Sequence, residues 1–171
     1  MASEIVRIDQ FGLLTSALRN IRCSIDGKRG VFDLVPEKLL PPDTAPLTET
    51  NPTLRRLQAG ASLVVEGPTM LRLEFHSLLG MAVDADIDVD LYGGLHDNWR
   101  NPPKIGDKNT FYPLLEIRNS LWKAQLPEWR RRDDPGVKHI RMISAECSFD
   151  LLGELVDGTW LTNDASEMAR S

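Results

Sequence analysis

Four aspartates at every second position, Asp84, Asp86, Asp88 and Asp90, are the most unusual group of potential ligands in the 171-residue chain. Carboxylate oxygens suit hard cations such as calcium or magnesium. A calcium loop starting at Asp86 would need glycine at its sixth position, and Leu91 stands there. On a β-strand the four would form one row with neighbours about 7 Å apart. In water each neighbouring pair repels by about 0.6 kcal/mol, which a solvated face tolerates and a dry core does not. The spacing therefore favours a solvated or edge-protecting row, partly neutralised by a cross-strand Arg72, over a metal site. No metal and no cofactor are expected.

The three histidines, His76, His96 and His139, show no HxH or HExxH spacing. His76 falls on the polar side of its segment beside Glu74, which suits a surface role. No GxSxG surrounds any serine, and a Ser-His-Asp group assembled only in space leaves no local signature, so no catalytic residue is assigned. The stretch Gly93–Arg100 brings an indole, a cation and a histidine together with flexible glycines, in a loop of the kind that carries binding sites. His96, Asp97, Trp99 and Arg100 are its candidate ligand- or partner-binding residues. Gly93-Gly94 lacks the pattern of a phosphate loop. A second candidate is the basic, aromatic run Trp122 to Arg132, in which Trp129 and Arg130 could engage a partner. Trp122 and Trp129, seven apart, could instead share one core-facing side. Asp133 and Asp134 follow at once and cancel much of the charge.

The elements that must position these residues can be read from periodicity and punctuation. Ile5, Ile8, Phe11, Leu14 and Leu18 recur near helical spacing, which suggests a short helix over 9–19 despite Gly12. Ile21–Ile25 and Val31–Val35, on either side of an Asp/Gly turn, make a hairpin. Five prolines between Pro36 and Pro52 predict a long loop, and Asn51-Pro52 caps a helix over 52–59. From Leu71 to Leu91 odd positions are mainly apolar and even positions mainly polar, so the segment is strand. Its length calls for a hairpin with a Leu78-Leu79-Gly80 loop, paired numbers summing to about 158, or for one bent strand. Residues 93–109 are loop and Phe111–Arg118 strand. Asn119 or Ser120 caps a helix, and Pro127 opens a further turn. Asp134-Pro135-Gly136 turns the chain into an alternating segment over 139–151, and Asp157-Gly158 marks a second hairpin.

The expected fold class is therefore α+β: a mainly antiparallel β-sheet of about six strands, curled, sandwich or barrel-like, with two or three short helices. The length suits one compact domain, 1–171, with a Pro-rich loop at 36–52 and a polar tail from 162. Apolar residues make up 42% and charged residues 26% of the chain, an ordinary balance for a folded protein. No long apolar run calls for a membrane, and the two cysteines, on apolar sides of their segments, read as buried thiols of a cytoplasmic protein. A net charge of −5 disfavours nucleic acid. The leading expectation is a small non-catalytic binding module that takes a protein partner or small ligand through the 93–109 loop and a sheet face. The alternatives are an enzyme or metal-dependent protein using the aspartate row or His96/Asp97, and nucleic-acid binding through Trp122–Arg132.

Overall fold

The computed structural model describes residues 4–40, 51–53, 63–84, 103–106 and 111–163. They form eight strands: β1 (Glu4–Arg7), β2 (Leu18–Asp26), β3 (Arg29–Leu40), β4 (Leu63–Glu66), β5 (Thr69–Asp84), β6 (Leu114–Arg118), β7 (Lys138–Ile143) and β8 (Ser148–Thr162). Two short helices, α1 (Leu121–Ala124) and α2 (Glu128–Asp133), join β6 to β7. The strands make one sheet in the order β1-β6-β7-β8-β5-β3-β2, with β4 pairing β3, and every ladder is antiparallel. The sheet curls until Leu18, at the start of β2, meets Ser144 in the β7–β8 turn. Among the described residues it does not close further into a barrel. No helix among them is long and apolar enough to cross a membrane.

The concave face holds the core. Phe32, Phe75 and Phe149 meet edge to face at 5.4 and 6.0 Å, among Leu34, Leu73, Leu114, Ile140, Met142 and Leu151. Such T-shaped contacts suit the ring quadrupoles. The segment from Ile8 to Ala17 lies across one end, where helical spacing suggested a helix; it is loop. Its apolar residues are anchored singly instead. Ile8 and Leu14 are buried, and the Tyr112 hydroxyl accepts from the Leu14 N–H and donates to the Ile8 carbonyl.

The β2–β3 hairpin stands as its composition implied, with Gly27 at φ +58° in a two-residue turn. Strand β3 runs on through Pro36 to Leu40, where a loop was expected from Pro36 onward. The proline is accommodated because it sits at a bulge opposite Leu18, a place where a ladder donor is not needed. Asn51 accepts the Thr53 N–H through its side chain, as a cap would; the remainder of 52–59 lies outside the described residues.

Over 71–84, the described part of 71–91, the expected hairpin is not formed and the chain follows the bent strand. Strand β5 passes Gly80 without reversing and pairs β8 along its whole length, with Ser77-Leu78-Leu79 bulged opposite Gly153. Ser77 adopts φ +48°, and Leu78 packs over Gly153, where a Cβ would lie 3.2 Å from the leucine side chain. Pairs do not sum to 158, and Arg72 lies opposite Asp33 and Thr159 rather than Asp86. Leu71, Leu73 and Phe75 are buried as alternation required, but Val83 is 54% exposed. Val83 points to the same side as its partner Phe149 yet lies beyond the covered end of the core. Asp84 ends β5 opposite Ser148; Asp86, Ile87, Asp88, Val89 and Asp90 lie outside the described residues.

Two further expectations fail in β7 and β8. The alternating run 139–151 is two strands joined by a tight turn at Ser144–Cys147. Asp157-Gly158 is not a turn, because β8 continues unbroken to Thr162. The cysteines also depart from expectation: both are free, but Cys23 is exposed and Cys147 half-buried. Cys23 does face the core side with Phe32, but it sits on the outermost strand, where none of the described residues covers it.

Candidate functional site

The opposite face of the sheet is covered where the chain crosses from β6 to β7. Asn119 at φ +53° turns it out of β6, and Ser120 starts α1 as its N-cap, its hydroxyl oxygen accepting the Lys123 N–H. This cap was legible, as was the proline-led turn that begins α2. Trp122 projects back onto the sheet and meets the His139 ring edge to face at 5.3 Å. It passes so close to Gly80 that a Cβ there would lie 2.9 Å from the indole. The Lys123 ammonium donates to the Val137 carbonyl and fastens the end of the corner to the start of β7.

Beneath this corner lies a buried polar chain. His139 and Arg141 are two apart on β7 and share a face, and Asp150 stands directly across from Arg141 on β8. Ser120 Oγ lies 2.7 Å from His139 Nδ1, His139 Nε2 lies 3.0 Å from Asp150 Oδ1, and an Arg141 Nη lies 3.1 Å from Asp150 Oδ2. All four residues are buried. An ionised carboxylate only accepts, so against one Nε2 is the donor; in the neutral ring Nδ1 then accepts from the serine hydroxyl, and in the imidazolium it donates to it. The cluster sets one carboxyl group against one guanidinium, and groups this deep need such partners.

The order Ser–His–Asp is that of a nucleophile relay, with the two imidazole nitrogens exchanged relative to the serine-protease arrangement. Three observations weigh against that use. The Ser120 oxygen already accepts the Lys123 N–H as a helix cap. Ser120 is only 4% exposed. Arg141 shares the carboxylate that would support the imidazole. The chain instead ties the start of α1 to β7 and β8.

A cavity of about 480 Å³ opens on the outer side of the corner, lined by Asn119, Ser120, Leu121, Lys123, Ala124 and Arg131. The three consecutive arginines of α2 differ in their surroundings. Arg130 pairs with Asp134 at 3.6 Å and Arg132 with Asp133 at 3.4 Å. Arg131 makes no ion pair among the described residues and lines the cavity. Of the residues singled out from sequence, Trp129 and Arg130 lie on α2 beside this cavity. Trp129 is 52% exposed, not core-facing, and the Arg130 guanidinium stacks 4.7 Å from its ring centre. Trp122 alone of the two indoles packs inward, because the helices are separate and share no common face. His76 is exposed, as expected. His96, Asp97, Trp99 and Arg100 lie outside the described residues. In the described part of their loop, 103–106, Lys104 forms an isolated bridge with Phe111, shortly before β6. There Lys104, Ile105 and Gly106 line a second cavity of about 460 Å³ with Arg7, Leu14, Thr15 and Tyr112.

The chain matches no family model, and no curated protein and no solved structure is similar to it at a level that would inform its function.

Proposed function

We propose that the protein is a non-catalytic binding module and that the α1–α2 corner receives an anionic group, a carboxylate or phosphate of a small ligand or of a partner protein. The carrying observation is Arg131, a guanidinium lining a 480 Å³ cavity while the arginines on either side of it are paired with aspartates. Guanidinium binds carboxylate and phosphate through paired N–H donors, so one that lines a concavity and has no ion pair among the described residues is a ready anion site. The exposed Trp129 with Arg130 stacked on it supplies the aromatic-plus-arginine rim found at the centres of protein interfaces. Asp133 and Asp134 neutralise two of the three arginines, which argues for a single anionic group rather than a nucleic-acid backbone. Two free cysteines, one of them exposed, suit a reducing compartment, and we place the protein in the cytoplasm on that ground.

Titration calorimetry with inorganic phosphate and with succinate tests the reading. Arg131→Ala should weaken binding at least tenfold, and Arg132→Ala should leave it within twofold. Equal affinity in Arg131→Ala and the unaltered protein would overturn it. The competing acyl-transfer reading rests on the Ser120–His139–Asp150 chain. It requires Ser120 to be labelled by a fluorophosphonate, and intact-mass measurement of the treated protein decides that separately.

A further inference from the structure

Among the described residues the sheet ends at β2, and the outer side of that strand carries an unfinished ladder. Asp26 and Arg29 flank the two-residue turn and form a hydrogen-bonded pair; by alternation so do Ser24/Val31 and Arg22/Asp33. The backbone N–H and C=O groups of Ile21, Cys23 and Ile25 therefore point away from β3, to the open edge. Two local devices already occupy part of that edge. Leu18, before the bulge in β2, gives its carbonyl to the Ala145 N–H, and the Ile21 N–H is taken by the Asn20 side chain at 2.8 Å. Cys23 and Ile25 have no such partner among the described residues, and both are exposed, Ile25 by 41%.

Both side chains face the core side of the sheet, in line with Phe32 and with Gly30 and Phe75. The edge thus presents two apolar side chains and a row of unpaired backbone groups together. Natural sheets usually blunt such an edge with lysine, proline or an added cover. Here the segment Arg22-Cys23-Ser24-Ile25-Asp26 is complementary to itself when reversed. Two copies paired antiparallel about Ser24 place Arg22 opposite Asp26 on the outer face and Cys23 opposite Ile25 on the core face. The neighbouring registers are poorer. Centring on Ile25 sets Arg22 against Lys28, and centring on Cys23 leaves both charges without an opposite.

We propose that β2 is a self-recognition edge, at which two copies of this chain join their sheets antiparallel about Ser24. The pairing makes four backbone hydrogen bonds between Cys23 and Ile25 of the two copies and sets Asp26 of each beside Arg22 of the other, a guanidinium that also holds Glu66 and Asn163 of its own chain. Opposite charges directly across a ladder are favourable, and like charges there are not. The contact is small, so the dimer forms in a concentration-dependent way. It goes beyond the anion site on α1–α2, which lies on other elements.

Light scattering on a concentration series from about 10 μM to about 1 mM tests it, a span that covers weak transient pairs. The mass should rise from the 19.2 kDa of one chain towards twice that value. Ile25→Pro removes one outward N–H without touching the β2–β3 ladder, a substitution edge strands tolerate, and should hold the protein monomeric. Asp26→Arg sets arginine against Arg22 and should do the same. The double variant Cys23→Ser/Ser24→Cys moves the thiol onto the two-fold axis. On mild oxidation it should cross-link faster than the unaltered protein does through Cys23. Circular dichroism checks that each variant is folded. A single-chain mass throughout the series, or a folded Ile25→Pro variant that still dimerises, would overturn the proposal. Faster cross-linking of the unaltered protein than of the double variant would overturn the register.

Discussion

Gly158 and Phe11, 147 positions apart, occupy one site: a Cβ on Gly158 would overlap the Phe11 ring. The ring lies flat on strand β8 at a point where only glycine leaves room. Next to it the Trp160 indole N–H donates to the Phe11 carbonyl at 2.7 Å, so the loop before β2 is held to β8 by a contact and a hydrogen bond together. Gly158→Ala should destabilise the protein by about 1–3 kcal/mol, the usual range for overpacking. In a Phe11→Ala background the same change should be close to neutral. Urea midpoints of the four proteins measure the coupling, and equal penalties in both backgrounds would show that the ring is not what excludes the side chain.

The buried pair under α1 makes a second prediction. Asp150→Ala removes the carboxylate that lies against both the Arg141 guanidinium and His139 Nε2. Breaking a buried pair from one side is typically destabilising by about 3–5 kcal/mol, whereas replacing both members by apolar residues can be neutral. Arg141→Met/Asp150→Leu should therefore be more stable than Asp150→Ala by at least about 1 kcal/mol. Chemical denaturation of both variants reads this directly. A double variant as unstable as the single one would mean that the network has no apolar substitute.

How far sequence reached this corner depends on which contacts are local. Ser120 could be seen as a cap because capping acts on a residue three positions ahead. Its other partner, His139, is 19 positions away, and Asp150 is a further 11, so nothing in their spacing marks them. Only the pairing of β7 with β8 brings them together. The turn that makes that pairing was illegible for a different reason. Ile143, Ala145, Cys147 and Phe149 keep the apolar alternation going straight through it, and no glycine or proline interrupts. Ser144 supplies the missing turn chemistry, accepting the Glu146 and Cys147 N–H groups and donating to the Cys147 carbonyl. The β2–β3 turn, with Asp26-Gly27 between two apolar runs, could be seen at once. Asp157-Gly158 has the same two letters, but its glycine answers to Phe11, a long-range neighbour.

Acid stability should depend on Glu66. Burial pushes its carboxyl up, but hydrogen bonds from Arg22, Asn163 and Asn20, with the Arg22 charge, outweigh that and hold it below its ordinary value of 4.5. A carboxyl lowered on folding stabilises the native state fully above its unfolded value. That contribution fades as the pH falls through the native value. Glu66→Gln should therefore be less stable than the unaltered protein at pH 7, with the difference shrinking below about pH 4. Thermal melts from pH 7 to pH 3 measure the two curves. Parallel curves would show that the Arg22–Glu66–Asn163 contacts carry no pH-dependent stability.

Gly80 tests how the α1–α2 corner is seated. Its backbone is not in the left-handed region, unlike that of Ser77 three residues before it, so conformational freedom is not what it supplies. It supplies space. Its Cβ position is 2.9 Å from the Trp122 ring, and the same ring covers His139 at 5.3 Å. Gly80→Ala must push the indole outward, and with it α1, whose first residues hold the Ser120–His139 hydrogen bond and line the cavity beside Arg131. The expected loss is about 1–3 kcal/mol, with a red shift in tryptophan emission as the half-buried indole meets more water. Trp122→Leu removes the far part of the ring, and in that background Gly80→Ala should be tolerated within about 0.5 kcal/mol. The same substitution should weaken phosphate binding in the intact protein but not alter the mass seen at high concentration, since the Cys23–Ile25 edge of β2 takes no part in that corner. An unchanged emission spectrum together with an unchanged midpoint would mean that Trp122 is not clamped against the sheet at Gly80.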